Sequence, residues 1–213
     1  MARTASRGKT RGTYSPAETR RALLAGALRL FELHGYHATS VEDIVTDAGV
    51  TKGALYHHFS GKEEILLRLQ EEYIDDRLRS FGRVLESFES PVDRLRQLIL
   101  ESLVAIDQFH AHVAIFSQEW RFLTEERFAA IKRKRDELDA KYEAVIRQGI
   151  EEGVFNPALQ PRIVSVGILG MLTSAHNWYR PDGPLTVAEV ADQFAELVLQ
   201  GLVSPVSRIP SDH

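Results

Sequence analysis

The feature that most constrains this chain is a helix-start pattern that recurs along it, a hydroxyl residue followed three positions later by an acidic residue. In such a pair the side chains satisfy backbone amides that the first turn of a helix leaves without partners. The pattern occurs at Ser15 with Glu18, Ser40 with Asp43, Ser60 with Glu63, Ser90 with Asp93 and Thr186 with Glu189. The eight prolines lie outside the segments of helical apolar period or in their first turns, and strand-like alternation is absent. The sequence therefore predicts an all-α protein.

These start signals, with the glycines that end several apolar segments, predict nine helices. Their expected ranges are 16–34, 41–48, 52–58, 62–89, 91–109, 111–121, 125–152, 159–179 and 186–203. The first three are short, and their apolar residues suit one small core, namely Leu24, Leu28, Phe31, Val41, Ile44, Val45, Ala48, Val50, Leu55 and Phe59. The later helices are longer, so we divide the chain into domains at 15–61 and 62–203. We expect the basic arm 1–14 and the tail 204–213 to be disordered when free.

The formal net charge of -4 conceals an uneven distribution. Residues 1–60 contain eight Lys and Arg against five Asp and Glu, and seven of these cations lie in the first 30 residues. A polyanion such as DNA would be attracted to this end of the chain alone. Within the arm, Arg3, Arg7, Lys9 and Arg11 either enter a minor groove beside the binding site or form only a solvated tail.

Several functional classes lack their sequence features here. The chain has no cysteine, which excludes disulfides, thiolate nucleophiles and cysteine zinc sites. It has no glycine-rich phosphate loop after a strand and no His-Glu-x-x-His pair, so we expect neither an enzyme nor a bound cofactor. The N-terminus lacks the apolar stretch of a secretory signal, and no segment approaches the roughly 18 apolar residues that span a bilayer. We therefore expect a cytoplasmic protein without membrane contact.

The predicted helices 41–48 and 52–58 are joined by a tight turn in which Gly49 can take the left-handed conformation. Two short helices across such a turn form a helix-turn-helix, here at about 40–59, whose second helix can enter the major groove of DNA. Leu55 and Phe59 face the core, which turns the opposite side of that helix outward. The phosphate donors expected from this placement are Thr51, Tyr56 and His57, with Thr39 or Ser40 as a second anchor and Lys62 as a third.

Two of these residues admit other interpretations. Tyr56 could instead prop the helix 52–58 against the first helix, and both roles stay open. His57 and His58 resemble a metal-binding pair, but adjacent residues on a helix point about 100° apart, so one metal ion cannot easily bind both. The sequence therefore predicts no metal site.

The run Gly-Tyr-His-Ala-Thr-Ser-Val-Glu-Asp-Ile-Val-Thr-Asp-Ala-Gly-Val-Thr-Lys-Gly-Ala-Leu-Tyr-His-His-Phe-Ser-Gly-Lys-Glu-Glu, residues 35–64, resembles the DNA-binding domain of the tetracycline-repressor (TetR) family of bacterial regulators. The resemblance covers about 16–64, and the family's plan of nine helices fits the rest. It implies a homodimeric repressor that binds a palindromic operator and is released when a small molecule fills a pocket in the C-terminal domain. It implies DNA contact at Thr39, Thr51, Lys52, Gly53, Tyr56, His57 and Lys62, and contact of the Ala54 methyl with a base edge.

The two last predicted helices, 159–179 and 186–203, are apolar nearly all round. Such helices must be buried on more than one side, and pairing them with a second copy of the chain forms a four-helix interface. The family's usual dimer interface lies at the same eighth and ninth helices. Gly167 and Gly170 then permit close helix approach, or alternatively face a ligand.

Candidates for the effector pocket come from the inward stripes of the larger domain. A buried hydroxyl or imidazole needs a partner that a ligand could provide, which favours His110, Ser117 and Ser174, and Trp120 and Trp178 complete the set. The basic run 132–135 is either a solvated helix face or a phosphate contact at the mouth of a pocket.

A second resemblance concerns the effector. The stretches 105–116, 149–155 and 177–186 are similar to the actinobacterial branch that regulates sterol and fatty-acid catabolism, which implies an acyl-CoA thioester as effector. The sterol-ring regulators of that branch carry an arginine and an aromatic residue where this chain has Leu169 and Thr173, so we expect a different ligand. The alternative functions are an architectural DNA-binding protein with a solid core and no inducer, and a helical enzyme.

Overall fold

The computed structural model describes residues 15–109, 111–113, 115 and 123–202. Within these ranges lie eight α-helices and one short 3-10 helix, and no β-strand. The helices are α1 (Pro16–His34), α2 (Val41–Asp47), α3 (Lys52–His58), α4 (Lys62–Ser87), α5 (Pro91–Gln108), α6 (Glu125–Glu151), α7 (Pro161–Ser174), the 3-10 helix Ala175–Asn177 and α8 (Val187–Leu202). The predicted all-α fold is confirmed. Of the predicted helix 111–121, residues 111–113 and 115 are helical, and the rest lies outside the described residues, as do the arm 1–14 and the tail 204–213.

The predicted start signals stand at the helix N-termini. Ser15 and Ser40 each form a reciprocal capping box, with Glu18 and Asp43 as their partners. At Ser60 the backbone amide donates to the carboxylate of Glu64, one residue beyond the predicted partner. Hydrogen bonds from the capping residues hold the pKa of Glu18 and of Asp43 below the usual carboxylate range.

The chain divides into two compact units, Met1–Ile65 and Leu66–His213. In the first unit α1 packs against α2 and α3. The predicted core residues are fully buried or half-buried, and the buried set also includes four apolar residues that the pattern did not select, Leu23, Ala27, Tyr36 and Ile65. Glycines with positive φ, Gly35 at 82° and Gly49 at 66°, follow α1 and α2 and turn the chain after each helix.

In the second unit α5 occupies the centre and packs against α6, α7 and α8. Its buried side chains Leu95, Leu98 and Ile99 form the core together with Tyr142 of α6 and with Phe155 after it. None of the helices in the described part of the chain is long and apolar enough to cross a membrane.

A close approach fixes the end of α6. Gly153, with φ of 74°, reverses the chain after the helix, and the amides of Val154 and Phe155 both donate to the carbonyl of Gly149. The Phe155 ring consequently lies on Gly149, where a Cβ atom would be only 2.2 Å from a ring carbon. Because the ring is fully buried, it has little room to move away.

We therefore expect Gly149→Ala to lower the free energy of unfolding by about 1–3 kcal/mol, the usual cost of inserting a methyl group into a packed core. The control is Gly82→Ala in α4, because in the described chain no atom beyond the local helix backbone lies within 4 Å of a Cβ at that position. Alanine should stabilise α4 there by up to about 1 kcal/mol through helix propensity alone. Urea denaturation followed by circular dichroism measures both, and a Gly149→Ala variant as stable as the control would contradict the close contact.

Candidate DNA-binding face and effector cavity

The turn between α2 and α3 is defined by its own backbone hydrogen bonds. The amide of Gly49 donates to the carbonyl of Thr46 at 3.2 Å, and that of Val50 donates to the carbonyl of Val45 at 3.0 Å. With Gly49 in the left-handed region, this pattern ends α2 and starts α3 after a few residues. The two helices therefore form the predicted helix-turn-helix.

The contact of α1 with the end of α2 depends on Gly26, which sequence reasoning did not select. A Cβ atom at Gly26 would lie 2.7 Å from Oδ2 of Asp47, an oxygen that accepts a hydrogen bond from Arg29 at 2.5 Å. The missing side chain thus makes room for an ion pair between α1 and α2. An inward-facing glycine on the apolar side of α1 was the available sequence signal.

The exposed side of α3 carries the side chains that the helical period turned outward. Leu55 is fully buried, whereas Lys52, Gly53 and His57 are exposed and Tyr56 is 52% exposed. This exposure does not support the alternative role of Tyr56 as a core prop. Ala54 is half-buried.

Thr51 caps α3 and remains able to donate a hydrogen bond. Its hydroxyl oxygen accepts from the amide of Ala54 at 3.1 Å, and the side chain is exposed. Lys52 forms an ion pair with Glu42 of α2, and this hydrogen bond lowers the pKa of Glu42 and raises that of Lys52. Because both side chains are largely exposed, water screens the pair and weakens it.

The phosphate contacts predicted for Thr39, Ser40 and Lys62 stay predictions, and they would have to replace hydrogen bonds that these polar groups form inside the domain. Thr39 is only 1% exposed, and its hydroxyl donates to the carbonyls of Gly35 at 2.9 Å and Leu30 at 3.2 Å. The Ser40 hydroxyl donates to its capping partner Asp43 at 2.7 Å.

Lys62 acts as a tie between α4 and the loop after α1. Its ammonium group donates to the carbonyls of Tyr36 at 2.6 Å and Thr39 at 2.7 Å, and more distantly to that of His37 at 3.4 Å. The same nitrogen lies 4.3 Å from the centre of the Tyr36 ring, a cation–π distance. Its side chain therefore holds the loop 36–39 in place.

The second unit contains a cavity of about 630 Å³, lined by residues of α4, α5, α6, α7 and the 3-10 helix. Sites for small ligands usually measure about 300–1,000 Å³. The wall formed by α4 and α5 is buried and mostly apolar, with Ile74, Phe81 and Ile106. The rim on α7 is exposed and includes Val166 and Thr173.

Of the five predicted pocket residues, the structure describes two, and one of these lines the cavity. Ser174 lines the cavity, whereas Trp178 does not, because its ring is half-exposed and lies 6.0 Å from the ring of Phe194. His110, Ser117 and Trp120 lie outside the described residues.

Of the two glycines in α7, Gly170 lines the cavity and Gly167 does not. Within the basic run 132–135, Lys134 pairs with Asp75 of α4 at 2.6 Å, and Arg135 lies at the cavity.

A polar network that sequence reasoning missed crosses the inner wall of the cavity. Arg77 donates to the carbonyl of Glu101 at 2.8 Å and to the hydroxyl of Ser102 at 3.1 Å. The hydroxyls of Ser102 and Tyr142 lie 2.8 Å apart and each lies 2.8 Å from the carbonyl of Leu98, so one hydroxyl donates to the other and the second donates to that carbonyl. Burial lowers the pKa of Arg77 and raises that of Tyr142. The available signal was an arginine within an otherwise apolar helical stripe, at Ile74, Arg77, Phe81 and Val84.

Comparison with known proteins supports both parts of this arrangement. Residues 23–69 match the profile "Bacterial regulatory proteins, tetR family", and residues 89–202 match "Tetracyclin repressor-like, C-terminal domain". The transcriptional repressor KstR2 of Mycobacterium tuberculosis is 36% identical over 181 residues, which are 84% of this chain and 90% of the relative. Its solved structure, described as a ketosteroid transcriptional regulator, covers 87% of this chain and 95% of its own, with a TM-score of 0.78 and 35% identity.

Two further relatives widen the comparison. The transcriptional activator FasR of Mycolicibacterium smegmatis is 30% identical over 202 residues, with 88% of this chain and 86% of the relative covered. The structure of AibR in complex with isovaleryl coenzyme A and operator DNA has a TM-score of 0.73 and 28% identity, and covers 88% of this chain and 99% of its own. The chain therefore belongs to the tetracycline-repressor family, whose members are transcriptional regulators and not enzymes.

Proposed function

We propose that this protein is a ligand-responsive repressor that binds a palindromic operator as a homodimer and releases it when a small hydrophobic effector fills its cavity. The observation that carries the proposal is the cavity of about 630 Å³ in the second unit. Volume left unfilled inside a closed core costs about 24 cal/mol per Å³. A domain with a purely architectural role on DNA would therefore be expected to have a filled core, whereas an effector site requires open volume. The family, with its operator-binding and ligand-binding relatives, supports the same function.

The DNA-binding face in this proposal is the exposed side of α3. Thr51, Tyr56 and His57 donate hydrogen bonds to phosphates, and Lys52 exchanges its weak bond to Glu42 for a phosphate oxygen. Gly53, which has no side chain, lets the N-terminus of α3 approach the groove closely. The Ala54 methyl then reaches a base edge, where a thymine methyl is its natural apolar partner.

We expect Lys52→Ala and Tyr56→Phe each to weaken operator binding, and Lys52→Ala to lower the dependence of log affinity on log salt by about one unit. Gel shifts with the DNA that flanks the gene, repeated at several salt concentrations, measure both effects. Lys132→Ala is the matched control, since Lys132 is also an exposed lysine in an ion pair, with Asp136, but lies in the other unit. Unchanged affinity in both α3 variants would refute the assigned face.

Exposed apolar side chains on α7 and α8 support the dimer. Ile163 and Leu197 are each 66% exposed, and a second copy of the chain would remove this apolar surface from water. At Gly167 and Gly201 no atom of another described part of the chain lies within 4 Å of a Cβ, which leaves room for a second pair of helices to approach. A four-helix interface around a two-fold axis would cover these residues.

Light scattering should therefore give a mass near twice the 24.0 kDa of the chain at micromolar concentration. Leu197→Glu should shift the protein toward monomer, because it places a charge in the middle of the apolar interface. Leu33→Glu, the same change at an exposed leucine of α1, should leave the mass unchanged. A monomeric wild-type protein would refute the dimer, and a Leu197→Glu variant that stays dimeric would move the interface elsewhere.

The effector class in this proposal is an acyl-CoA thioester. The support comes from AibR, whose solved structure contains isovaleryl coenzyme A, and from the apolar inner wall of the cavity. Leu169 and Thr173 both line the cavity, so the residues that distinguish this chain from the sterol-ring regulators lie where a ligand would contact them. The acyl group should accordingly differ from a sterol ring fragment.

A panel of acyl-CoA thioesters of increasing chain length, added to the gel shift, should contain at least one that releases the operator. Free coenzyme A and the matching free acids are the controls. Release by another small molecule alone would contradict the thioester class, and release by none would favour the architectural alternative. Because FasR is an activator, a reporter gene behind the same DNA should accompany the assay, with increased expression in the absence of the protein as the expected result.

A further inference from the structure

Arg77 is a buried cation at the inner wall of the cavity, only 4% exposed. It occupies a position of α4 at which the helical period calls for an apolar residue, between Ile74 and Phe81. Charged side chains are rarely this deeply buried unless an opposite charge or a full set of hydrogen bonds accompanies them.

Among the residues that the structure describes, the hydrogen-bond acceptors of Arg77 are neutral. Its guanidinium donates to the Glu101 carbonyl and the Ser102 hydroxyl, and lies 4.5 Å from the centre of the Phe81 ring. The Glu101 carboxylate accepts a hydrogen bond from Ser80 instead, and the neighbouring Asp76 pairs with Arg79. Of the residues that the structure describes, none forms an ion pair with Arg77.

The charged side chains described around the cavity are also mainly cationic. Among the described residues, those that line it and carry charge are two arginines, Arg77 and Arg135, and one aspartate, Asp139. Arg135 and Asp139 lie one turn apart on α6, whereas Arg77 lies on α4. The lining therefore has an excess of positive charge.

The guanidinium also has N–H groups that no described residue accepts. Its two hydrogen bonds to neutral atoms use one N–H on each terminal nitrogen, and a guanidinium carries five N–H groups in a planar fork. This fork matches the two oxygens of a carboxylate, and such charge-assisted pairs are roughly twice as strong as neutral hydrogen bonds. An anion brought in by a ligand would thus compensate a desolvation cost that the protein alone leaves unbalanced.

We propose that the effector carries a carboxylate that pairs with Arg77 at the inner wall, with its hydrocarbon part against Ile74, Phe81 and Ile106. This inference rests on the proposed function, because it names the chemical class of the effector for the same cavity. The carboxylate can belong to a free carboxylic acid or to the far end of an acyl group whose other end is a coenzyme A thioester.

The test is calorimetric binding of matched probe pairs to the full-length protein without DNA. Octanoate and octanamide have nearly the same size and differ in charge, and the thioesters of a ten-carbon dicarboxylic acid and of decanoic acid differ in the same way. We expect the carboxylate member of at least one pair to bind at least tenfold more tightly. A preference in the first pair alone identifies a free acid as the source, and a preference in the second pair identifies a thioester.

The variant Arg77→Gln should abolish this preference. The matched control is Arg83→Gln, since Arg83 lies on the same helix, is exposed and does not line the cavity, so the preference should be unchanged there. If Arg77→Gln does not fold, as judged by circular dichroism, Arg77→Lys replaces it and should reduce the preference to about a third or less, because lysine lacks the planar fork. Equal affinities within both pairs, no binding by any probe, or a preference that survives the change at Arg77 would each overturn the proposal.

The carboxylate site and the repressor function can fail independently in these experiments. If a carboxylate binds through Arg77 and the operator is not released, the inducer function fails and the carboxylate site stands. If the operator is released by ligands whose affinity does not depend on Arg77, the repressor function stands and the carboxylate site fails.

Discussion

The hydrogen bonds of the Lys62 ammonium group fix the first turn of α4 to the rest of the DNA-binding unit. Lys62 binds the carbonyls of Tyr36 and Thr39 and stacks on the Tyr36 ring, so the first turn of α4 is tied to the loop between α1 and α2. That loop carries Ser40, the cap of α2. The start of the helix-turn-helix thus depends on a cation that binds backbone oxygens and an aromatic ring. Fifteen residues later on the same helix, Arg77 has neutral hydrogen-bond acceptors among the described residues. One helix therefore carries a charge with a structural role near its start and, in our proposal, a charge that binds the effector farther along.

The fold could be predicted from the sequence because the residues that start and end its helices act locally. A hydroxyl at Ser15 or Ser40 and a glycine at Gly35 or Gly49 act on the backbone within one turn, so their positions suffice to place helix ends. The outward side of α3 follows with the same certainty, since the burial of Leu55 fixes the direction in which its neighbours point.

Other residues share a different property, because their surroundings depend on partners that are distant in sequence or on a direction that the sequence does not state. The sequence predicts Thr39 and Lys62 as phosphate donors, yet in the structure their acceptors are carbonyl oxygens, which every residue possesses and no sequence pattern marks. The sequence places Trp178 among the pocket candidates, but it does not determine which way the ring turns. The sequence shows Arg77 on the apolar stripe of α4, but this helix contains many charged residues, so one arginine among them does not stand out.

The contact between Gly149 and the Phe155 ring also has a consequence for how this chain can diverge. Neither position accepts a change alone, because a methyl group at 149 meets the ring, and a smaller residue at 155 leaves a cavity beside the glycine. Two changes made together could exchange the volumes at little cost. Among related chains, a larger residue at 149 is thus expected only where 155 is no longer aromatic. Substitutions at the two positions should therefore be correlated.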